Sequence, residues 1–269
     1  MAFAPTALRR LALAVAVLYD VDLLPQDDGL VLPGDGEIQA DIHVSWVTLA
    51  GLLDEVEQDA SEAPGERMRL DALAAWLIAR RALDGGEALL VALGIPAGHQ
   101  SHPGPAWVRE MIPGGALCLG FGYPTGPEHS PVPPGVLEHA GIDVGRSWQR
   151  VRAELERLGS LAAERDRRQR QRAIKPFGGA DVVTLLASAS LRRELVASES
   201  DGMVAMIVPL RTRGWRATFV SDPAYGPALA AAMPGHERGF ERPLLVTAEE
   251  VRVVRAGGDP MRALRTEQT

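Results

Sequence analysis

Four of the six histidines, His99, His102, His129 and His139, fall within 41 residues, and two of them follow a carboxylate, Glu128 before His129 and Glu138 before His139. Catalytic zinc takes about three nitrogen or oxygen ligands and keeps one position open for water. These residue types could therefore furnish a hydrolytic centre if the loops that carry them converge. The spacing does not impose that convergence. His99 and His102 are three apart in G-H-Q-S-H-P-G, which reads as a turn and not as the helical H-E-x-x-H in which two imidazoles share a face. The four histidines stand as weak metal candidates, and no cofactor is implied.

A second chemistry is carried by arginine. Arg165, Arg167, Arg168, Arg170 and Arg172 crowd into E-R-D-R-R-Q-R-Q-R, the end of a helical segment running from Arg146 to Arg172 with nine Arg against four acids. Guanidinium groups at a helix end neutralise carboxylates or phosphates without reading sequence. The net charge of −7 and the sequence pI of about 5.4 speak against a dedicated nucleic-acid binder, and Phe177 is the only stacking residue close by. A protein partner, a second copy included, ranks ahead of nucleic acid.

A third stretch is D-V-D, Asp20, Val21 and Asp22, behind the apolar run that ends in Val15 to Tyr19. It resembles the first motif of haloacid-dehalogenase-type phosphatases. The resemblance implies a hydrophobic strand presenting one Asp as nucleophile and the second as general acid, with Lys175 neutralising charge. Leu23 and Leu24 follow in place of the family's small or hydroxyl residue and Thr, and the likeness covers about eight residues. No G-x-S-x-G elbow and no Walker lysine is present.

Composition bounds what can position these groups. With 269 residues, 46% of them hydrophobic, the chain can bury a substantial core as one large or two small domains. The single cysteine, Cys118, forms no internal disulfide and supports no cysteine-based metal cluster. The run Leu11 to Tyr19 follows two arginines but precedes acids instead of a small-residue cleavage site, and is too short to span a bilayer, so it reads as an amphipathic first helix and the protein as cytoplasmic. Basic residues are 27 Arg and the lone Lys175, the codon habit of a GC-rich genome.

Periodicity places the elements. Pro5 and Thr6 open a first helix with Leu8, Leu11, Val15 and Leu18 on one face. Leu30 to Leu32 and Glu37 to Val44 read as a hairpin across Pro33 to Gly36, with His43 on the polar side. Ser45 caps a helix bearing Leu49, Leu52, Leu53 and Val56. Another helix, from about Glu66 to Leu83, turns Met68, Leu73, Trp76 and Leu77 inward. Nine Pro and nine Gly among the 42 residues Gly94 to Gly135 predict a long excursion. Within it a short helix spans Ala106 to Met111 and a buried strand Ala116 to Tyr123.

The Arg146 to Arg172 helix carries Trp148, Val151, Leu155, Leu158 and Ala162 at 3-4 spacing, so its first half packs on a core while its end is polar all round. One helix from Asp181 to about Ser198 follows, with Val182, Leu185, Leu186, Ala189 and Leu195 as its apolar set. Met203 to Leu210 and Trp215 to Val220 form a hairpin, Asp222 and Pro223 start a helix through Met233, and Pro243 to Thr247 is a strand. After Thr247, a strand through Val251 and Val253 is favoured over a capped helix.

The expected fold is α+β: helices with a small antiparallel sheet in the C-terminal half and a Pro/Gly-rich central loop. Residues 1–143 would form an acidic, mainly helical part with one hairpin, and residues 144–269 a basic part with the long helix, an antiparallel hairpin and two further helices. Twenty acids and seven bases precede the boundary at Asp143, fifteen and twenty-one follow it, giving −13 and +6. The leading functional expectation is an interaction or regulatory module using the basic helix end. The alternative is a metal-dependent or phosphatase-like hydrolase using the histidine loop or the Asp20/Asp22 pair. No membrane association is expected.

Overall fold

The computed structural model describes residues 5–34, 36, 39–59, 65–97, 109–126, 128–169, 173–216 and 237–254. Among them are seven α-helices and three small antiparallel sheets, a mixed α+β fold. The chain divides into two compact units. One takes the described residues up to Val91 and from Phe121 to Ser147, the other those from Ala92, from Arg109 to Gly120 and from Trp148 onward.

In the first unit, helix α1 (Pro5–Tyr19) buries Leu8, Leu11, Ala12 and Val15. Leu18 was expected on the same face but is exposed. Leu18 falls in the last turn of the helix, past its last buried residue, Val15. The expected hairpin is present in shortened form, Gly29–Leu32 against Ile42–Ser45 with Leu30 opposite Val44; of the strand expected from Glu37, residues 39–41 are not strand and residues 37–38 lie outside the described set, while a two-residue strand Leu24–Pro25 adds to the edge. Ile42 and Val44 point inward and His43 outward, the alternation that the sequence demands.

Ser45 caps α2 (Trp46–Asp59): its hydroxyl accepts from Thr48 N at 3.1 Å, and Leu49, Leu52, Leu53 and Val56 are buried. Helix α3 (Glu66–Ala82) buries Leu70, Leu73, Trp76 and Leu77. Met68, expected inward, is exposed, because Leu70 stands one turn before Leu73 and takes the core position. The Trp76 indole N–H donates to Pro134 O at 3.1 Å, just before the one-turn helix α4 (Val136–His139).

In the second unit, Arg109–Met111 is a strand pairing antiparallel with Cys118 to Gly120, which corrects the short helix expected over Ala106 to Met111. Residues 106–108 lie outside the described set, and pairing with an apolar neighbour strand outweighs local helix preference in the remainder. The buried strand expected over Ala116 to Tyr123 is Leu117–Thr125, buried through Tyr123, with its residues to Gly120 in this unit and those from Phe121 in the first.

The long helix α5 runs Val144–Gln169 and starts where Asp143 accepts a hydrogen bond from Arg146 N at 2.7 Å. Val151, Leu155, Leu158 and Ala162 are buried as their spacing requires. The single helix expected from Asp181 to Ser198 is two, α6 (Val182–Leu185) and α7 (Ala189–Val196). Asp181 caps the first through Thr184 N, and the Ser188 hydroxyl caps the second through Leu191 N. A five-stranded antiparallel sheet follows the order Val251–Val253, Leu244–Thr247, Met203–Leu210, Arg213–Arg216, Ala173–Ile174. The expected hairpin forms its centre, with the return strand starting at Arg213 and not Trp215. Residues 217–220, and the helix expected over Asp222 to Met233, lie outside the described set. Val251–Val253 is a strand as favoured, and the Thr247 hydroxyl caps only the tight turn before it, accepting from Glu249 N and Glu250 N.

Two features fix α5 against α7. The Glu156 carboxylate accepts from Ala189 N and Ser190 N, both at 2.8 Å, and from the Ser188 hydroxyl at 3.1 Å. One turn on, Gly159 allows the close approach, since a β-carbon there would collide with the Ser188 side chain. Gly159→Ala is therefore expected to destabilise the protein by about 1–3 kcal/mol despite alanine's better helix propensity. Urea unfolding measures the change, and an unchanged or raised midpoint would contradict the contact.

Candidate functional site

Arg165, Arg167 and Arg168 of the arginine tract lie in the last turns of α5. Arg165 is drawn inward. Its Nε donates to Asp166 Oδ1 at 3.0 Å, its terminal nitrogens donate to the carbonyls of Pro176 and Lys175 at 2.9 Å each, and its guanidinium lies 5.3 Å over the Phe177 ring. It ties the helix end to the chain leaving it. Arg167 and Arg168 point to solvent, with side chains 64% and 76% exposed. Arg167 grips Glu194 of α7 with both arms of its guanidinium, Nε to Oε1 at 2.6 Å, and Arg168 meets Glu164 one turn back. Arg167 holds the Glu194 carboxyl below its usual pKa. Arg170 and Arg172 lie outside the described residues. The carboxylates that meet Arg165, Arg167 and Arg168 all come from α5 and α7.

Asp166 sits among these arginines with its side chain 1% exposed. Its Oδ1 takes Arg165, while Oδ2 is buried with no hydrogen-bond partner among the described residues, as is Nε of Arg216. Burial pushes the Asp166 carboxyl upward, against the opposing pull of Arg165, Arg216 and Lys175. Glu156, ten residues earlier, behaves oppositely: burial alone would raise it, but hydrogen bonds from Ser190, Ala189 and Ser188 outweigh burial and hold it below the ordinary value.

The other candidates are dispersed or differently engaged. His99 and His102 lie outside the described residues. His129 is on the strand Glu128–Pro131, and His139 ends α4, where Nδ1 accepts from Arg80 Nε at 3.0 Å and the ring meets the edge of Trp76. An accepting Nδ1 carries no proton, and burial, then Arg80, then His43 lower the pKa of His139. Among the described residues, no three of His, Cys, Asp and Glu are grouped to hold a metal ion. Asp20 follows the last turn of α1 with φ 55°. Val15 to Tyr19 is thus helix where the phosphatase-type motif needs a strand, so the D-V-D resemblance does not extend to the backbone. Cys118 is buried, with its sulfur 3.7 Å from that of Met111.

Three polar residues of the second unit stand out only in the structure. These are Glu156, Asp166 and Arg192, whose buried guanidinium donates to the carbonyls of Leu186, Ala187, Ala248 and Glu249. Gly159 inside an otherwise strong helix was the available signal for the first. No family model matches the chain, and neither a curated protein nor a solved structure is similar to it.

The Asp166 environment sets a pH dependence. A carboxyl with a raised folded-state pKa binds its proton more tightly folded than unfolded. Its contribution to stability is full below the unfolded pKa and is lost as pH rises through the folded one. Asp166→Asn keeps the acceptor for Arg165 and removes the buried charge. It should raise the melting temperature at pH 7, by an amount that shrinks as pH falls toward about 4. A variant less stable than the parent at pH 7 would show that the ionised group is needed.

Proposed function

We propose that the protein is a non-enzymatic interaction module that offers Arg167 and Arg168 at the end of α5, together with Arg170 and Arg172 that follow in the sequence, to an acidic segment of a protein partner. The observation that carries this reading is the division of labour within the tract. Arg165 is spent on the chain's own carbonyls, whereas Arg167 and Arg168 are solvent-facing, each paired with a single carboxylate, Glu194 and Glu164. Surface ion pairs contribute little to folding, so a partner's carboxylates can replace Glu194 and Glu164 at small cost. The buried first half of α5 holds the helix that carries Arg167 and Arg168, and a preorganised donor loses less entropy on binding. Phe177 lies under Arg165 and is not free to stack a base, which favours a polypeptide over single-stranded nucleic acid. No described helix is long and apolar enough to cross a membrane.

A fluorescent polyglutamate peptide serves as the probe, with single-stranded DNA as its comparison. The full chain should bind the peptide with an affinity that falls as salt rises. Replacing Arg167, Arg168, Arg170 and Arg172 with Gln should weaken binding at least about tenfold while moving the melting temperature by less than about 2 °C. Arg165→Gln should do the reverse, lowering the melting temperature and sparing the peptide. Binding that survives the fourfold substitution, or tighter salt-dependent binding of DNA, contradicts the reading.

A further inference from the structure

We infer that the solvent side of α1 is a self-association surface, on which α1 of a second copy packs antiparallel. The helix is apolar on two sides. Leu8, Leu11, Ala12 and Val15 are buried in their own unit, yet Leu13, Val17 and Leu18 are 48%, 83% and 59% exposed, and no charged residue occurs from Leu11 to Tyr19. A helix apolar on opposite sides buries both.

Its terminal charges select the occupant. Arg9 and Arg10 stand toward the N-terminal end of α1 and Asp20 and Asp22 just past its C-terminal end, all exposed, with no acid in the first turn and no base in the last. Each sign is opposite to the one that the helix's own dipole favours at that end. Asp20 also takes the left-handed conformation, φ 55°, for which glycine is the usual choice. A charge pattern that works against its own helix is the correct one for a neighbouring helix running the other way. That neighbour presents the negative end of its dipole and its acids to Arg9 and Arg10, and the positive end of its dipole to Asp20.

The spacing agrees. Arg10, Leu13, Val17 and Asp20 follow one another at 3, 4 and 3, one stripe along the exposed side. Reversing the stripe about position 15 sets Leu13 against Val17 of the second copy and Arg10 against its Asp20. Two-fold symmetry makes each contact twice. Arg10 now meets Glu66 in an exposed ion pair at 3.5 Å, which leaves the guanidinium available. This surface belongs to the first unit and does not depend on the arginine tract of α5.

Analytical ultracentrifugation of the full chain over a wide concentration series tests the inference. The mass should rise from one chain toward two. Val17→Glu and Arg10→Asp should each weaken association at least about tenfold. Arg10→Asp combined with Asp20→Arg should restore it, with circular dichroism confirming the fold of each variant. A chain that is monomeric throughout, or a dimer indifferent to Val17→Glu and Arg10→Asp, overturns the surface. A dimer that the double charge reversal fails to restore overturns the antiparallel register. A monomer that sediments with phosphatidylserine vesicles and loses that behaviour in Val17→Glu overturns the second copy in favour of a lipid surface.

Discussion

The Glu156 carboxylate, seated at the start of α7, is the constraint on which the second unit turns. Two backbone N–H groups and one hydroxyl donate to it, at the positive end of that helix. Gly159 then lets α5 lie close enough to Ser188 for the bonds to be made. Eleven residues after Glu156, about 16 Å along a helix, Arg167 reaches Glu194 near the other end of α7. The Glu156 bonds and the close approach at Gly159 set the register of α5 beside α7, and the exposed Arg167–Glu194 pair adds little to it. The placement of Arg165 over Phe177, and of Arg167 and Arg168 in solvent, follows from that register.

The same unit shows three ways of handling a buried charge. Arg192 is satisfied by four carbonyls from the α6–α7 turn and the turn after Thr247, and so staples two connections that have little apolar surface of their own. Glu156 is satisfied by N–H groups and holds its charge easily. Asp166 leaves Oδ2 buried with no hydrogen-bond partner among the described residues, and burial disfavours its ionised form. The described arginines of the tract find their carboxylates within residues 144–269. The acidic excess of residues 1–143 is therefore not needed to explain how Arg165, Arg167 and Arg168 are held.

Periodic apolar spacing made much of the fold legible. The first half of α5, the alternation at Ile42, His43 and Val44 and the central hairpin at Met203 all stand as their patterns require. Failures fall where a tertiary partner decides. A break between α6 and α7 cannot be read from L-L-A-S-A-S-L, because the group that stabilises the restart is Glu156, more than thirty residues away. Arg109 to Met111 is a strand only because Cys118 to Gly120 lies beside it. Within the candidate site, the tract is visible as composition, but not that Arg165 turns back onto the carbonyls of Lys175 and Pro176 while Arg167 and Arg168 reach solvent. That difference arises from a turn of the helix and the path of the chain through Lys175 and Pro176.

The stability of Glu156→Gln from pH 3 to pH 8 tests the organising contact most directly. The parent's lowered folded-state pKa means stability that is present above the unfolded value, about 4.3, and lost as pH falls through the folded one. The variant should be less stable than the parent at neutral pH, and the gap should close on acidification as the parent loses its charge. A variant equal to the parent at pH 7, or a gap that widens in acid, would mean that α5 and α7 are held by their apolar faces alone and that the Glu156 carboxylate organises nothing.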